Sequence, residues 1–505
     1  MSWHKVSARA GLALLPVAFP TFTLAQQPEP KSEHAAPAHD PAAAPAEYDP
    51  SAFRPDPAYG STWDPAQQED IYGGKVPVRT QRPLLELGRE LYREGPLQPG
   101  RSWLFGDENR LYPHLMVYGD WRFAGGLNDL GDEDFGQLAT RLNLDVDVQL
   151  TATERIHAFL QPFERNGEIS RLEFGERDDE ELALDGNLDA LFFEGDVGSL
   201  TRGTHGTVSD FDMPFAVGLM PLLFQNGVWV EDAFTGLALT LPARNSPTLG
   251  ISNYDATFFA GIDKIDSGAV SAAGGDDSDA SIVGLTSFLE VLEGYWELGY
   301  GYTFGRGAAK DADYNNLTAA FTRRYGGWLS NSVRALFNFG QDSNPETASG
   351  GLLLVENSLI TSDPYGCVPY FNLFAGHDHP QSLARAAGAG GVLKNTGINF
   401  EADALTAFPA LDATGHDSYG AALGLELLMG FDAPDPALRS QLVFELAGQH
   451  PYGDDAAAAG DELALGLRYQ KPLSHRFIFR ADATAGAREE ADEYAALRLE
   501  FRWKF

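Results

Sequence analysis

Leu497-Arg498-Leu499-Glu500-Phe501-Arg502-Trp503-Lys504-Phe505 reads as both faces of a single strand. Side chains alternate across a strand with a period of two. Leu497, Leu499, Phe501, Trp503 and Phe505 therefore fall on one surface and Arg498, Glu500, Arg502 and Lys504 on the other. Strands of a soluble sheet satisfy this pattern too, so the reading has to be carried outward along the chain.

The alternation recurs. Leu115, Val117, Trp121 and Phe123 oppose Met116, Tyr118, Asp120 and Arg122; Leu142, Leu144, Val146, Val148 and Leu150 oppose Arg141, Asn143, Asp145, Asp147 and Gln149. Tyr254 to Ile262, Trp296 to Phe304, Leu442 to Leu446, Leu463 to Tyr469 and Phe477 to Phe479 repeat it, with less regular candidates between them. An aliphatic row opposite a charged row suits a strand with lipid on one side and a polar lumen on the other. A tilted transmembrane strand needs ~9–11 residues. About eighteen such segments are expected, and sixteen is also compatible, since single-chain bacterial barrels take even numbers. Phe215 to Trp229 is nearly all apolar and reads either as a long strand or as a piece folded into the lumen.

A chain that ends on an aromatic residue, after repeated two-faced segments and behind an apparent export signal, resembles the Gram-negative outer-membrane β-barrels of porin type. The resemblance implies an all-β fold, a transmembrane antiparallel β-barrel over residues 114–505. It also implies an outer-membrane location, contact with the lipid bilayer and lipopolysaccharide, a homotrimer, and Trp503 and Phe505 as the signal read by the outer-membrane assembly machinery.

Composition agrees. Gly 54, 11% aromatic and 44% hydrophobic residues fit a β-rich chain, and the net charge of −36 excludes nucleic acid as a partner, because a phosphate backbone attracts basic surfaces. The single cysteine, Cys367, excludes an internal disulfide and covalent c-type haem. Residues 1–25 read as a signal peptide: Lys5 and Arg9, then an apolar Ala10 to Ala18, then Thr23-Leu24-Ala25. Residues 26–66 are rich in Pro and Ala and read as a disordered tether. Residues 67–113 read as a periplasmic segment in which Leu84, Leu85, Leu87, Leu91 and Tyr92 lie near helical spacing, predicting a short amphipathic helix or irregular piece that packs into or under the barrel mouth or docks a periplasmic protein; the competing reading is a solvated arm with no partner.

If Phe505 ends at the periplasmic rim, alternate connections fall outside the cell, and these hold nearly all the acidic runs, among them Asp132-Glu133-Asp134 and Asp454-Asp455. The outer connection from about His377 to Asp417 is long enough to be functional. Its Phe400, Leu405, Phe408 and Leu411 are poorly placed for solvent, which predicts a constriction folded into the pore; the competing reading is a surface cap.

No catalytic motif is found: there is no GxSxG elbow, P-loop or HExxH, so no enzyme and no cofactor are expected. His377 and His379 flank Asp378 but lack the closed ligand set of a structural site, and Gly274 to Asp279 lacks EF-hand spacing, so no metal is expected. The candidate pore-lining charges are Arg141, Asp145, Asp147, Arg334, Glu426, Glu445, Arg468, Arg480, Asp482, Arg498, Glu500 and Arg502. Opposed charged rows in a lumen select solutes by charge and size, unless they serve only as paired wall residues. The leading function is passive diffusion of small hydrophilic solutes or ions. The alternative is the barrel component of an envelope export or electron-transfer assembly, for example for exopolysaccharide.

Overall fold

The computed structural model describes residues 83–88, 109–165, 167–205, 211–310, 312–341, 349–401, 405–430, 438–453 and 460–505. The expected signal peptide and tether, and most of 67–113, lie outside the described residues. Eighteen antiparallel strand positions form the wall. They begin with His114–Asp129 and Asp134–Gln149. The third and fourth are interrupted at mid-length, as Arg155–Leu160 with Glu168–Gly175, and Glu180–Glu181 with Ala190–Asp196. Pro214–Phe224, Val230–Ser246, Ile251–Asp263, Ala280–Val291, Gly294–Gly305, Tyr314–Tyr325 and Leu329–Phe339 follow. Gly350–Leu359, Cys367–Asp378, Ser418–Met429, Ser440–Pro451, Glu462–Pro472, Phe477–Arg488 and Tyr494–Lys504 complete the set.

Each position pairs with its predecessor, and the last closes on the first, from Asp120 opposite Lys504 to Asp129 opposite Ala495. The closure runs to the final residue: the Gly119 N–H donates to the Phe505 carbonyl (2.9 Å) and the Phe505 N–H to the Gly119 carbonyl (3.0 Å). A closed ring leaves no backbone edge to hydrocarbon, which is the condition for a sheet to cross a membrane.

The facing follows the alternation. Leu497, Leu499 and Phe501 are exposed, whereas Arg498 and Glu500 between them are only 1% exposed. The same inversion holds around the ring, with Phe123, Leu138, Phe258, Leu298, Leu353, Leu423, Phe444 and Leu467 all exposed. An apolar belt on every strand, turned away from the packed side, is a surface for lipid.

The segment expected as a helix is a strand where it is described. Leu85–Gly88 pairs antiparallel with His114 to Val117, continuing the edge of the first wall strand beyond Phe505. Leu85 and Leu87 face outward, and the Glu86 carboxylate meets His114 Nε2 at 3.0 Å, a period of two and not 3.6. The protruding edge offered backbone partners, and satisfying them outweighed the helical spacing of the leucines. Residues 89–92 lie outside the described residues.

Phe215 to Trp229 realises both of its readings. Pro214–Phe224 is a wall strand, but its pairing with the fourth strand stops at Leu219 opposite Leu191, while its pairing with Val230–Ser246 continues to Phe224 opposite Val230. The free tip of this hairpin turns through Gln225 and Asn226, both left-handed (φ 53° and 56°), and enters the lumen. Trp229 is fully buried there, seated over Gly299, where an added Cβ would lie 2.8 Å from the indole. Met220, Trp229, Phe234, Phe259, Ile282, Leu336, Leu354 and Leu383 belong to one apolar cluster inside the barrel.

Candidate permeation pathway

The long connection after Cys367–Asp378 folds into the lumen, as a constriction does and a surface cap does not. It first docks on the hairpin tip: Ala384 and Arg385 pair in parallel with Val230 and Glu231, and the Leu383 N–H donates to the Trp229 carbonyl (2.9 Å). The Tyr314 hydroxyl donates to the Leu383 carbonyl (2.9 Å), and Lys394 forms an ion pair with Glu231. Further on, the N–H groups of Ile398 and Asn399 donate to the two oxygens of Glu445 (3.1 and 2.9 Å), a fully buried carboxylate that also accepts from the Tyr370 hydroxyl. The segment then reaches the closing strands, where Asn128 donates to the Thr406 carbonyl (2.8 Å) and Phe408 lies under the Arg498 guanidinium (5.1 Å). Phe400, Leu405 and Leu411, the apolar groups that had no place in free solvent, are buried.

These contacts decide which wall face is the lumen, and the charged rows lie on it. Asp482 is the hub of the densest group. Its Oδ1 accepts from Arg468 Nε (2.7 Å) and its Oδ2 from Arg480 Nε (2.7 Å) and Arg498 Nε (3.0 Å). Glu500 takes Arg122 as a bidentate fork (3.0 and 2.6 Å) and Arg502 at 3.1 Å. From the inserted segment, Glu401 reaches Arg468 at 2.6 Å and Arg480 at 3.9 Å. Burial opposes ionisation of Glu401, but the Arg468 and Arg480 cations outweigh it and hold its carboxyl below the ordinary value. Five guanidiniums thus converge on Asp482, Glu500 and Glu401, with Asp120 3.8 Å from Arg502 as a fourth carboxylate, so that positive charge outnumbers negative by one inside a strongly acidic chain.

The remaining predicted residues lie elsewhere on the same inner face of the wall. Arg334 pairs with Glu356 (3.1 Å), Glu426 accepts from Gln441 (2.7 Å), and Arg141 pairs with Glu164 (2.5 Å). Asp145 and Asp147 flank His157 at 3.2 and 3.8 Å near the rim that holds the C-terminus. The structure therefore gathers Arg468, Arg480, Asp482, Arg498, Glu500 and Arg502, and leaves Arg141, Asp145, Asp147, Arg334 and Glu426 apart from them. Glu445 serves as an anchor for the inserted segment.

Two participants were not singled out in the sequence. Arg122 stands in a visible charged row and was within reach of that reasoning; Glu401 lies in no periodic segment, so nothing local marks it. Between the middle of the inserted segment and the wall, a cavity of about 560 Å³ is lined by Tyr370, Thr396, Glu401, Glu426, Gln441 and Arg468. That is within the range of sites for small solutes, ~300–1,000 Å³.

No family model matches the chain, and no curated protein matches it in sequence. Among solved structures the chain is similar to Pseudomonas aeruginosa OccK11 (OpdR), with 11% identity and a TM-score of 0.48, covering 80% of this chain and 99% of that one. OccK7 (OpdD) of the same organism gives 12% and 0.49, covering 77% and 98%. OccK2 (OpdF), solved in complex with glucuronate, gives 11% and 0.47, also covering 77% and 98%.

Proposed function

We propose that this chain is a porin-like channel of a Gram-negative outer membrane, passing small hydrophilic solutes or ions by diffusion. The observation that carries the reading is a closed, lipid-faced ring whose interior is narrowed by its own inserted segment, beside a cluster of five arginines. In this orientation the rim holding Phe505 is periplasmic, and the inserted segment enters from the outside. The reading requires no catalytic step and no cofactor. Trp503 and Phe505 would be recognised during assembly, lipopolysaccharide would surround the acidic outer rim, and the homotrimer carries over from the porin resemblance.

The arginine cluster favours anions over cations, since fixed charges at a narrow, weakly screened point act most strongly on passing ions. In planar bilayers the purified protein is expected to give stepwise currents, with a reversal potential in a salt gradient that indicates anion preference. Deleting residues 385–412 is expected to enlarge the unit conductance. A silent barrel that conducts or binds only with a periplasmic protein would sink the channel reading in favour of an assembly component docked through residues 67–113. Unchanged conductance in the deletion would remove the constriction.

A further inference from the structure

We propose that the outer rim carries a binding site for a divalent transition ion of the Zn²⁺ class, formed by His377, Asp378 and Asp417, and that the ion clamps the two feet of the inserted segment. His377 and Asp378 end the strand from which the segment departs, and Asp417 immediately precedes the strand at which it returns. One nitrogen of His377 and one oxygen of each aspartate lie within 4.8 Å of one another. Nδ1 of His377 is 3.3 Å from Oδ1 of Asp417, and its Nε2 is 3.9 Å from Oδ2 of Asp378. Metal–ligand bonds of ~2.0–2.1 Å place neighbouring ligands of a tetrahedral ion about 3.3 Å apart, so the Nδ1–Asp417 spacing already matches, and the Asp378 carboxylate must close from within 4.8 Å to meet the same ion.

The two feet, and the Asp417 carboxylate between them, are held in place without an ion. The Asp378 N–H donates to Oδ1 of Asp417 (2.7 Å), the Asp417 N–H to the Asp378 carbonyl (3.2 Å), and the Tyr452 N–H to the Asp417 carbonyl (2.8 Å). The Asp417 side chain is 11% exposed, whereas that of His377 is 73% exposed and rests against the Tyr452 ring (6.5 Å), with its Nδ1 3.4 Å from the Tyr452 hydroxyl. One residue further into each foot stand His379 and His416, their rings edge to face at 4.6 Å. Three of the chain's eleven histidines thus sit at the two feet of a single segment. An imidazole in the ligand set selects Zn²⁺, Cu²⁺ or Ni²⁺ over Ca²⁺ and Mg²⁺, which require oxygen alone.

An ion held from both feet closes a long excursion of chain at its base, which is where a clip restricts it most. Binding requires only coordination by the imidazole and the two carboxylates, with no other chemistry.

The test is calorimetric titration of untagged, chelator-treated protein in detergent with Zn²⁺ alone, comparing wild type with H377A, D378N and the control H205A. One ion should bind to the wild type and to H205A. Its affinity should fall in H377A and D378N by at least the roughly 10–100-fold that loss of a supporting partner costs a metal site. Cu²⁺ in place of Zn²⁺ should give a resonance spectrum with imidazole nitrogen coupling that H377A abolishes. Equal binding by wild type and H377A, or no binding by folded wild type, overturns the site. Because His377 is exposed, H377A is expected to fold, which circular dichroism checks. These readouts do not depend on whether the barrel conducts. If it does, Zn²⁺ should quieten open-channel current in the wild type and not in H377A, and equal quietening in both would overturn the clamp.

Discussion

At the scale of single residues, neighbours in sequence do opposite jobs. Leu467 is exposed on the outer surface, and Arg468 beside it reaches Asp482 and Glu401 inside. L467R puts a guanidinium into hydrocarbon and is expected to cost about 2–4 kcal/mol if the position is at mid-bilayer, measured by reversible unfolding from lipid vesicles. R468L leaves Asp482 with Arg480 and Arg498 but takes from Glu401 its nearer partner, so the wall is expected to stay folded while the inserted segment loosens and the reversal potential shifts toward cations. Equal losses of stability in the two variants would contradict the facing. Glu401 gives a pH-dependent counterpart. Its carboxyl is held below the ordinary ~4.3. Its contribution to holding the segment is therefore full above that value and is lost as pH falls through the lowered one. Hydrogen-exchange protection of the amides of residues 398–401, taken relative to the intrinsic rate at each pH, should fall over that acid range, and E401Q should be weakly protected at every pH; acid-insensitive protection in the wild type would count against the contact.

At the scale of elements, what periodicity can encode was legible and what depends on distant partners was not. Alternation marked the facing of the closing strand and of Leu463 to Tyr469, because every second residue meets a different medium. It could not show that the hairpin around Trp229 leaves the wall. That depends on Gly299, seventy residues away in sequence, leaving room for the indole. Nor could it show Leu85–Gly88 as a strand, since the leucine spacing is local and the partner edge is not. G299V is expected to evict the indole and cost about 1–3 kcal/mol as an overpacked interior does, with tryptophan fluorescence shifting to the red. An unshifted spectrum with wild-type stability would mean that the tip does not rest there.

At the scale of the whole molecule, the strand number and the closed ring followed from counting segments of one length, and the inserted segment from its excess length and its misplaced apolar groups. The arginine cluster was legible as a set of inward charges but not as a whole: three of its strands are successive hairpins, whereas Arg122 joins them only through closure and Glu401 only through the inserted segment. Closure ends on the reciprocal hydrogen bonds between Gly119 and Phe505. Deleting Phe505 should slow assembly in vivo and weaken the seam, read as a lower temperature for loss of the compact form on semi-native gels. Normal assembly kinetics would argue that Trp503 suffices.

The apolar packing of Trp229, Phe259, Leu336 and Leu383 fills one side of the tube, while Arg122, Arg468, Arg480 and Arg498 stand at the other. The filling of the ring is consequently set by the inserted hairpin and segment and not by the circumference. Redrawing it would reshape the interior with every stave left as it is, so two such rings of equal girth need share nothing inside.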